Sequence, residues 1–356
     1  MNKILTVMVT GVGGGGIGEQ ILKALRLADN PYEIVGCDIS SYSSGLKKVD
    51  HPYVVPPARD QGYIEVILEI CRKHAVKALF SGSEPELLIL CCNREIFKNE
   101  GILLAINPND VISICTNKSR TTQFLEENGF FYPTTMILRN LGDLNEWDHF
   151  PAVVKPSVGS GGSNNCFIVQ TPRELETLAT YLLEANVSSE LIAQEYVGTP
   201  ESEYTVGVLF DIDGNLLNSI ALRRDLRSVL SCRMKVPNRT GLEEYGSHLV
   251  LSTGISQGEI GLFPDVTDYC EKVAAKLGAR GTINVQCRLH QGKVYIFEIN
   301  PRFSGTTSFR AMVGYNEPDI LIRKHVLGEN IAPRFAYKYG VITRGLEESF
   351  FEKITP

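Results

Sequence analysis

The sequence predicts two kinds of sheet in one chain: a parallel, doubly wound α/β unit first, then an α+β unit built on antiparallel sheets. Three observations predict it. Apolar strand-like runs alternate with amphipathic helical patterns through residues 1–115, hairpin turn signals appear only later in the chain, and the texture changes at Pro151.

Ile4 to Thr10 is an apolar run that stops at glycine, so it reads as a buried strand, and Ile17 to Leu27 follows with helical spacing. Glu33 to Asp38 is a second strand. Tyr63 to Lys73 is a helix with Ile64, Ile67, Leu68 and Cys71 on its apolar face. Val76 to Phe80 is a third strand, and Leu103 to Ile106 a fourth that Asn107-Pro108 stops. Such alternation favours a parallel sheet, because each helix carries the chain back to the same sheet edge. A boundary is expected near Cys115. Asn117-Lys118-Ser119 then opens a helix that Asn128-Gly129 closes, with glycine supplying the left-handed cap. Helices recur at Pro172 to Glu184 and Asp265 to Leu277. Asp211-Ile212-Asp213-Gly214 and His290-Gln291-Gly292 mark hairpins. The expected units are residues 1–115, 116–190 and 191–330, with 331–356 as a C-terminal segment packing on the core.

A length of 356 residues suits two or three packed units. The formal charge of −6, with no run of Lys and Arg, gives no reason to expect nucleic acid or a membrane surface as partner. The apolar N-terminal run is too short for a membrane span and carries no cleavage-site pattern. Nine scattered cysteines without C-x-x-C spacing fit reduced thiols in the cytoplasm, and isolated histidines argue against zinc. A homodimer is a fair expectation for a soluble protein of this size.

Gly11-Val12-Gly13-Gly14-Gly15-Gly16-Ile17-Gly18 follows a strand and opens a helix, and Asp38 ends the next strand. That arrangement fits a dinucleotide fingerprint, since glycines let backbone approach an anion at a helix N-terminus. A nicotinamide oxidoreductase is therefore one reading, but the chain offers no hydride-transfer constellation to go with it.

Five later segments carry more chemistry. They are Asn117-Lys118; Ala152-Val153-Val154-Lys155-Pro156 with the glycine run Gly159-Ser160-Gly161-Gly162; Gln194-Glu195-Tyr196-Val197-Gly198 with Glu203 behind it; Asn284-Val285-Gln286; and Glu298-Ile299-Asn300-Pro301-Arg302. Lys155 lies between Val153-Val154 and Pro156, so it reads as a buried cation at a strand end. The glycine run is flexible and rich in backbone donors, as a lid over phosphates requires. Glu203 taken alone reads as the exposed side of an alternating strand whose apolar face is Tyr204, Val206 and Val208. Ile283, Val285, Cys287 and Leu289 form one face of a strand, leaving Asn284, Gln286 and Arg288 on the other. The returning strand brings Glu298 and Asn300. Oxygen donors from Gln286, Glu298 and Asn300 converging there suit a hard cation such as Mg²⁺. A three-residue loop around Gln291 and Gly292 would put Gln286 and Glu298 on one face, whereas a two-residue loop would put Phe297 there.

Taken in order, these segments resemble the ATP-grasp superfamily, with the flavour of the carbamoyl-phosphate synthase large subunit. The resemblance covers about residues 117–330 and implies that the first unit is a Rossmann-like pre-ATP-grasp domain. It implies ATP as cosubstrate with Mg²⁺, or Mn²⁺ in its place, and small-molecule carboxylate and nucleophile substrates. In this reading Lys118, Lys155, Ser160 and Gly161 meet the phosphates. Glu195 accepts from the adenine amino group, the backbone at Tyr196 and Val197 pairs with the ring edge, and Glu203 takes the ribose hydroxyls. Gln286, Glu298 and Asn300 ligate the metal, Gln286 standing where many members carry a carboxylate. Arg302, Lys155 and Glu298 serve catalysis, with Arg302 on the terminal or acyl phosphate. The implied reaction is ADP-forming ligation through an acyl phosphate. Phosphorylation of carbamate or bicarbonate is the alternative, and a non-catalytic nucleotide sensor would have little use for the three oxygen donors. Arg223 to Lys235 is the basic stretch associated with substrate. Ser304 to Ser308 precedes a helix whose amides suit a carboxylate, and Ser81-Gly82-Ser83-Glu84 is placed to reach the same cleft.

Overall fold

A computed structural model describes residues 4–159 and 163–346. Strands β1 (Leu5–Val9), β2 (Tyr32–Asp38), β3 (His51–Val54), β4 (Ala78–Phe80) and β5 (Leu103–Leu104) form a parallel sheet in the order β3-β2-β1-β4-β5. Helices α1 (Ile17–Arg26), α2 (Tyr63–Lys73), α3 (Glu84–Cys92) and α4 (Arg94–Asn99) lie in its crossovers, and α5 (Asn109–Cys115) leads out of the sheet. Strand order reverses between β1 and β4, so a crevice opens at their C-terminal ends, where the glycine loop and Ser81 to Glu84 lie.

The rest of the chain is antiparallel. After α6 (Lys118–Glu127), strands β6 (Thr135–Leu138), β7 (Ala152–Pro156), β8 (Phe167–Val169) and β9 (Leu191–Glu195) pair in the order β6-β9-β7-β8. Helix α7 (Pro172–Glu184) buries Leu175, Ala179 and Leu182 against them. The expected break at residue 190 cuts this sheet before its last strand, because β9 pairs with both β6 and β7. We propose that the break belongs after Glu195.

The largest sheet holds β10 (Glu203–Phe210), β11 (Leu216–Arg224), β14 (Gly258–Gly261), β15 (Thr282–His290), β16 (Lys293–Asn300) and β17 (Gly340–Ile342), in the order β16-β15-β10-β11-β14-β17. Strands β12 (Cys232–Pro237) and β13 (His248–Ser252) stand apart as a two-stranded ribbon. Helix α8 (Pro264–Leu277) covers the face formed by Tyr204, Val206, Val208, Ile283, Val285 and Cys287, as their alternation requires. The opposite face of β10 and β15 is left to build a site. Helices α9 (Thr307–Met312) and α10 (Glu317–His325) lie against α1. A shared core of Val9, Phe80, Leu209, Phe303 and Tyr315 ties the parallel sheet to the largest one. Phe335, Tyr337 and Ile342 of the C-terminal segment pack on that core. Among the described residues no helix is long and apolar enough to cross a membrane.

Candidate active site

The β15–β16 hairpin turns on two residues, Gln291 and Gly292, both at positive φ, with His290 opposite Lys293. In a regular ladder this would set Phe297 against Gln286. A bulge between Gln286 and Cys287 intervenes: Cys287 faces Ile296, Phe297 is passed over, and Gln286 faces Glu298. Asn284 then faces Asn300. The expected common face is present, but a bulge creates it rather than a longer turn. Asn300 donates its amide N–H to Glu298 Oε1 at 3.1 Å, which leaves the amide oxygen of Asn300 beside the carboxylate. Carboxylate and amide oxygens without nitrogen or sulfur ligands are a donor set that fits Mg²⁺.

Lys155, at the end of β7, is 6% exposed. Its ammonium donates to Gln194 Oε1 at 2.8 Å and to the Phe297 carbonyl at 3.4 Å. Burial and the neighbouring Lys118 push it down to about 8. Lys118 is placed by its backbone N–H, which donates to the Ser157 carbonyl and joins α6 to the end of β7. A cavity of about 670 Å³ is lined by both lysines together with Gln286 and Glu298. An adjoining hollow adds Glu84 and Asn300. Two ammonium groups beside a set of oxygen donors form a place where an oligophosphate and a cation can neutralise each other. Ser160 and Gly161 lie outside the described residues. Ser163, just beyond them, donates its hydroxyl to the Ser252 carbonyl of β13 at 2.7 Å.

The other end of the cavity is lined by Val153, Glu195, Tyr196, Val197 and Tyr295. Glu195 faces it, but its carboxylate accepts from both the backbone N–H and the hydroxyl of Thr134, at 3.2 and 2.8 Å. Glu203 is not the exposed residue that local alternation suggests; it is 1% exposed. The register sets it opposite Arg288, and it also receives Arg224 of the adjacent strand. Burial works to raise its carboxyl, yet the two guanidinium groups outweigh that and hold it below the usual range. Both carboxylate oxygens are thus engaged inside the protein, where the resemblance assigned them to ribose.

Arg302 donates twice to Glu84 Oε1, at 3.1 and 2.5 Å, and once to the Phe303 carbonyl. Its guanidinium therefore closes the gap between the end of β16 and the start of α3. Ser304 to Ser308 turn inward: all but Gly305 are at most 3% exposed, and the Ser304 and Thr307 hydroxyls accept from the local amides. The segment is internally capped and cannot serve as the open carboxylate seat expected of it. Within the basic stretch, Arg224 is buried, Arg223 pairs with Glu259 and Arg227 with Asp225, so only Arg233 and Lys235 stand exposed without such a pairing. In the N-terminal glycine loop, Asp38 accepts the Gly13 and Ser40 N–H groups. A side chain at Gly13 would collide with Ser43. Gly13 and Gly18 serve close packing here, whereas Gly14 and Gly15 stand at positive φ with room beside them; the acid that a dinucleotide ribose would need is bound to backbone.

Sequence reasoning gave Arg288, Gln194 and Phe297 no role in the site. Arg288 carried one signal, its place on the polar face of β15, but its partners come from three other segments: Tyr196–Val197, Glu203 and Val250.

Two family models match the chain. One, described as PylC-like, N-terminal domain, covers residues 9–105; the other, an ATP-grasp in the biosynthetic pathway with Ter operon, covers 252–346. The carbamoyl phosphate synthase large chain of Archaeoglobus fulgidus is 26% identical over 315 residues, covering 85% of this chain and 27% of that one. This chain thus spans about a quarter of the length of the curated relatives it matches. An L-amino acid ligase from Bacillus licheniformis superposes with a TM-score of 0.63 at 18% identity, covering 93% of this chain and 78% of that one. The biotin carboxylase domain dimer of a Hydrogenobacter thermophilus 2-oxoglutarate carboxylase, solved with MgADP, ADP and bicarbonate, gives 0.60 at 17% identity and covers 94% and 72%.

Proposed function

We propose that this chain, an ATP-grasp protein, is an ATP-dependent ligase that phosphorylates a small-molecule carboxylate and transfers the acyl group to an amine or thiol. The observation that carries this is the meeting of Lys155 and Lys118 with Gln286 and Glu298 around one cavity. In the first step a carboxylate oxygen bonds to the γ-phosphorus as the bond to ADP breaks, and ADP leaves with the electron pair. In the second the nucleophile attacks the acyl carbon, loses its proton, and phosphate departs. Lys155 and Lys118 offset the negative charge that builds on the phosphates. Glu298, Asn300 and Gln286 would hold Mg²⁺, which when bound neutralises phosphate oxygens; Mn²⁺ is a second candidate by the same donor chemistry. Arg302, shared with Glu84, is placed to steady the acyl phosphate once substrate draws it away.

Nine free cysteines are in keeping with a reducing, cytoplasmic setting, and a homodimer fits a protein of this kind. Phosphorylation of carbamate or bicarbonate is the second reading, favoured by the similarity to carbamoyl phosphate synthase large chains. One experiment separates them. A ligase releases ADP only with an organic carboxylate present, and hydroxylamine traps that acid as a hydroxamate. ADP release that follows bicarbonate alone, with no acid ever giving a hydroxamate, would sink the ligase reading.

A further inference from the structure

Arg288 lies on β15 two residues beyond Gln286, on the same face, and is 7% exposed. Its Nε and Nη2 donate to Glu203 Oε2 at 3.1 and 3.0 Å. Its Nη1 donates to the Val197 carbonyl at 3.1 Å, and Nη2 also reaches the Val250 carbonyl of β13 at 3.0 Å. The guanidinium carbon stands 4.3 Å from the centre of the Tyr196 ring. Tyr196 is itself locked to β13, its hydroxyl accepting from Val250 N–H at 2.8 Å. One side chain therefore joins the strand end after β9, the β13 wall and the floor of the largest sheet. Only a planar fork with five donors can serve that many acceptors at once. Glu203, meanwhile, gives one oxygen to Arg288 and the other to Arg224 at 2.9 Å. Little acceptor capacity is left for a sugar hydroxyl.

We propose that Arg288 is the positioning residue of the nucleoside end of the cavity, holding the Val197 backbone and the β13 wall in register with the base. Glu203 acts behind it as a counter-ion, not as the ribose acceptor. This rests on the nucleotide-binding reading given above. A clasp with a merely structural role would stabilise the chain without favouring one part of the ligand over another. The positioning role predicts a split between nucleoside and phosphates.

The test is calorimetry of wild type and Arg288→Lys with Mg-ADP and with Mg-tripolyphosphate, which has no nucleoside. Lysine keeps a positive charge for Glu203 but cannot make the fork. Arg288→Lys should bind Mg-ADP about tenfold more weakly, the loss of charge-assisted contacts, with Mg-tripolyphosphate changed by less than about twofold. Wild type should bind 2′-deoxy-ADP within about threefold of ADP, less than a lost charge-assisted hydrogen bond would cost. An unchanged affinity for Mg-ADP, or an equal loss on both ligands, overturns the positioning role. A tenfold or larger preference for ADP over its 2′-deoxy form that Glu203→Gln abolishes overturns the assignment of Glu203. Should circular dichroism show Arg288→Lys unfolded, Arg288→Gln carries the same expectations, because it leaves Glu203 in a neutral pair with Arg224. Wild type that binds neither ligand would refute the nucleotide reading itself, and the proposal with it. Wild type that binds both ligands while Arg288→Lys shows no split would refute the proposal alone.

Discussion

In the proposed role Lys155 must stay charged to hold phosphate, yet its site disfavours the charge. Burial is the larger cause and Lys118 the second, and together they bring the ammonium from the ordinary 10.5 to about 8. Between those values the unfolded chain keeps a proton that the folded chain has lost, so stability rises with pH across that window and is flat below it. Phosphate binding runs the other way, because it needs the proton. Affinity for Mg-ADP should be level below about pH 8 and decline above it, and titrations of Lys155→Ala should show no such step. Glu298→Gln keeps shape but removes a charge from the oxygen set; turnover should fall on the order of a hundredfold. Denaturant unfolding should shift far less, since Glu298 is only half-buried and Asn300, which donates to it, can donate to an amide oxygen as well. Comparable losses in turnover and stability would make Glu298 a structural carboxylate. The flanking Val153, Val154 and Pro156 made the burial of Lys155 legible in the sequence. Glu203 was not legible, because alternation reports which face a residue takes but not what covers that face. Its two arginines arrive from β11 and β15.

At the scale of elements, the faces of β10 and β15 could be read residue by residue, since a buried face and a site face alternate with period two. The bulge could not. Nothing in the run from Val294 to Asn300 marks Phe297 as the residue to be passed over, and only the ladder shows it. The bulge leaves the Phe297 carbonyl within reach of Lys155, so one irregularity sets the common face of Gln286 and Glu298 and helps seat the Lys155 ammonium. Composition marks the segment from Gly159 as a candidate lid, and its residues 160–162 lie outside the described residues; a tie at its far end was not legible. Ser163, at positive φ, ties its far end to β13 through the Ser252 carbonyl. If that tie helps close the cavity, Ser163→Ala should raise the KM for ATP by roughly fivefold, the worth of about 1 kcal/mol. It should also increase the phosphate released per product formed, because an acyl phosphate left open to water hydrolyses. Coupled assays of ADP and product would detect it; tight coupling with an unchanged KM would remove Ser163 from the lid.

Across the whole molecule, the parallel sheet does more than precede the antiparallel units. Its switch point brings the start of α3 against the end of β16, and Glu84 meets Arg302 across 218 residues of sequence. The alternation of strands and helices foretold that sheet, and Ser81 to Glu84 could be assigned to its crevice. The ion pair could not be foretold, because it depends on how the parallel sheet packs on the largest sheet through the shared core that holds Phe80 and Phe303. Burial works to raise the Glu84 carboxyl, but Arg302 and then Lys118 hold it below the usual range, so it is ionised at neutral pH. An ionised Glu84 competes with any incoming anion for Arg302. The pair is partly open to solvent, with side chains 13% and 35% exposed, and losing it should cost no more than about 1 kcal/mol of stability. Glu84→Gln should therefore fold normally and lower the KM for the carboxylate substrate, because that anion no longer displaces an internal one. Arg302→Gln should instead raise that KM and slow turnover together. Initial rates at saturating ATP and varied carboxylate decide the matter. A higher KM in Glu84→Gln would mean that Glu84 aims Arg302 at the substrate instead of competing for it.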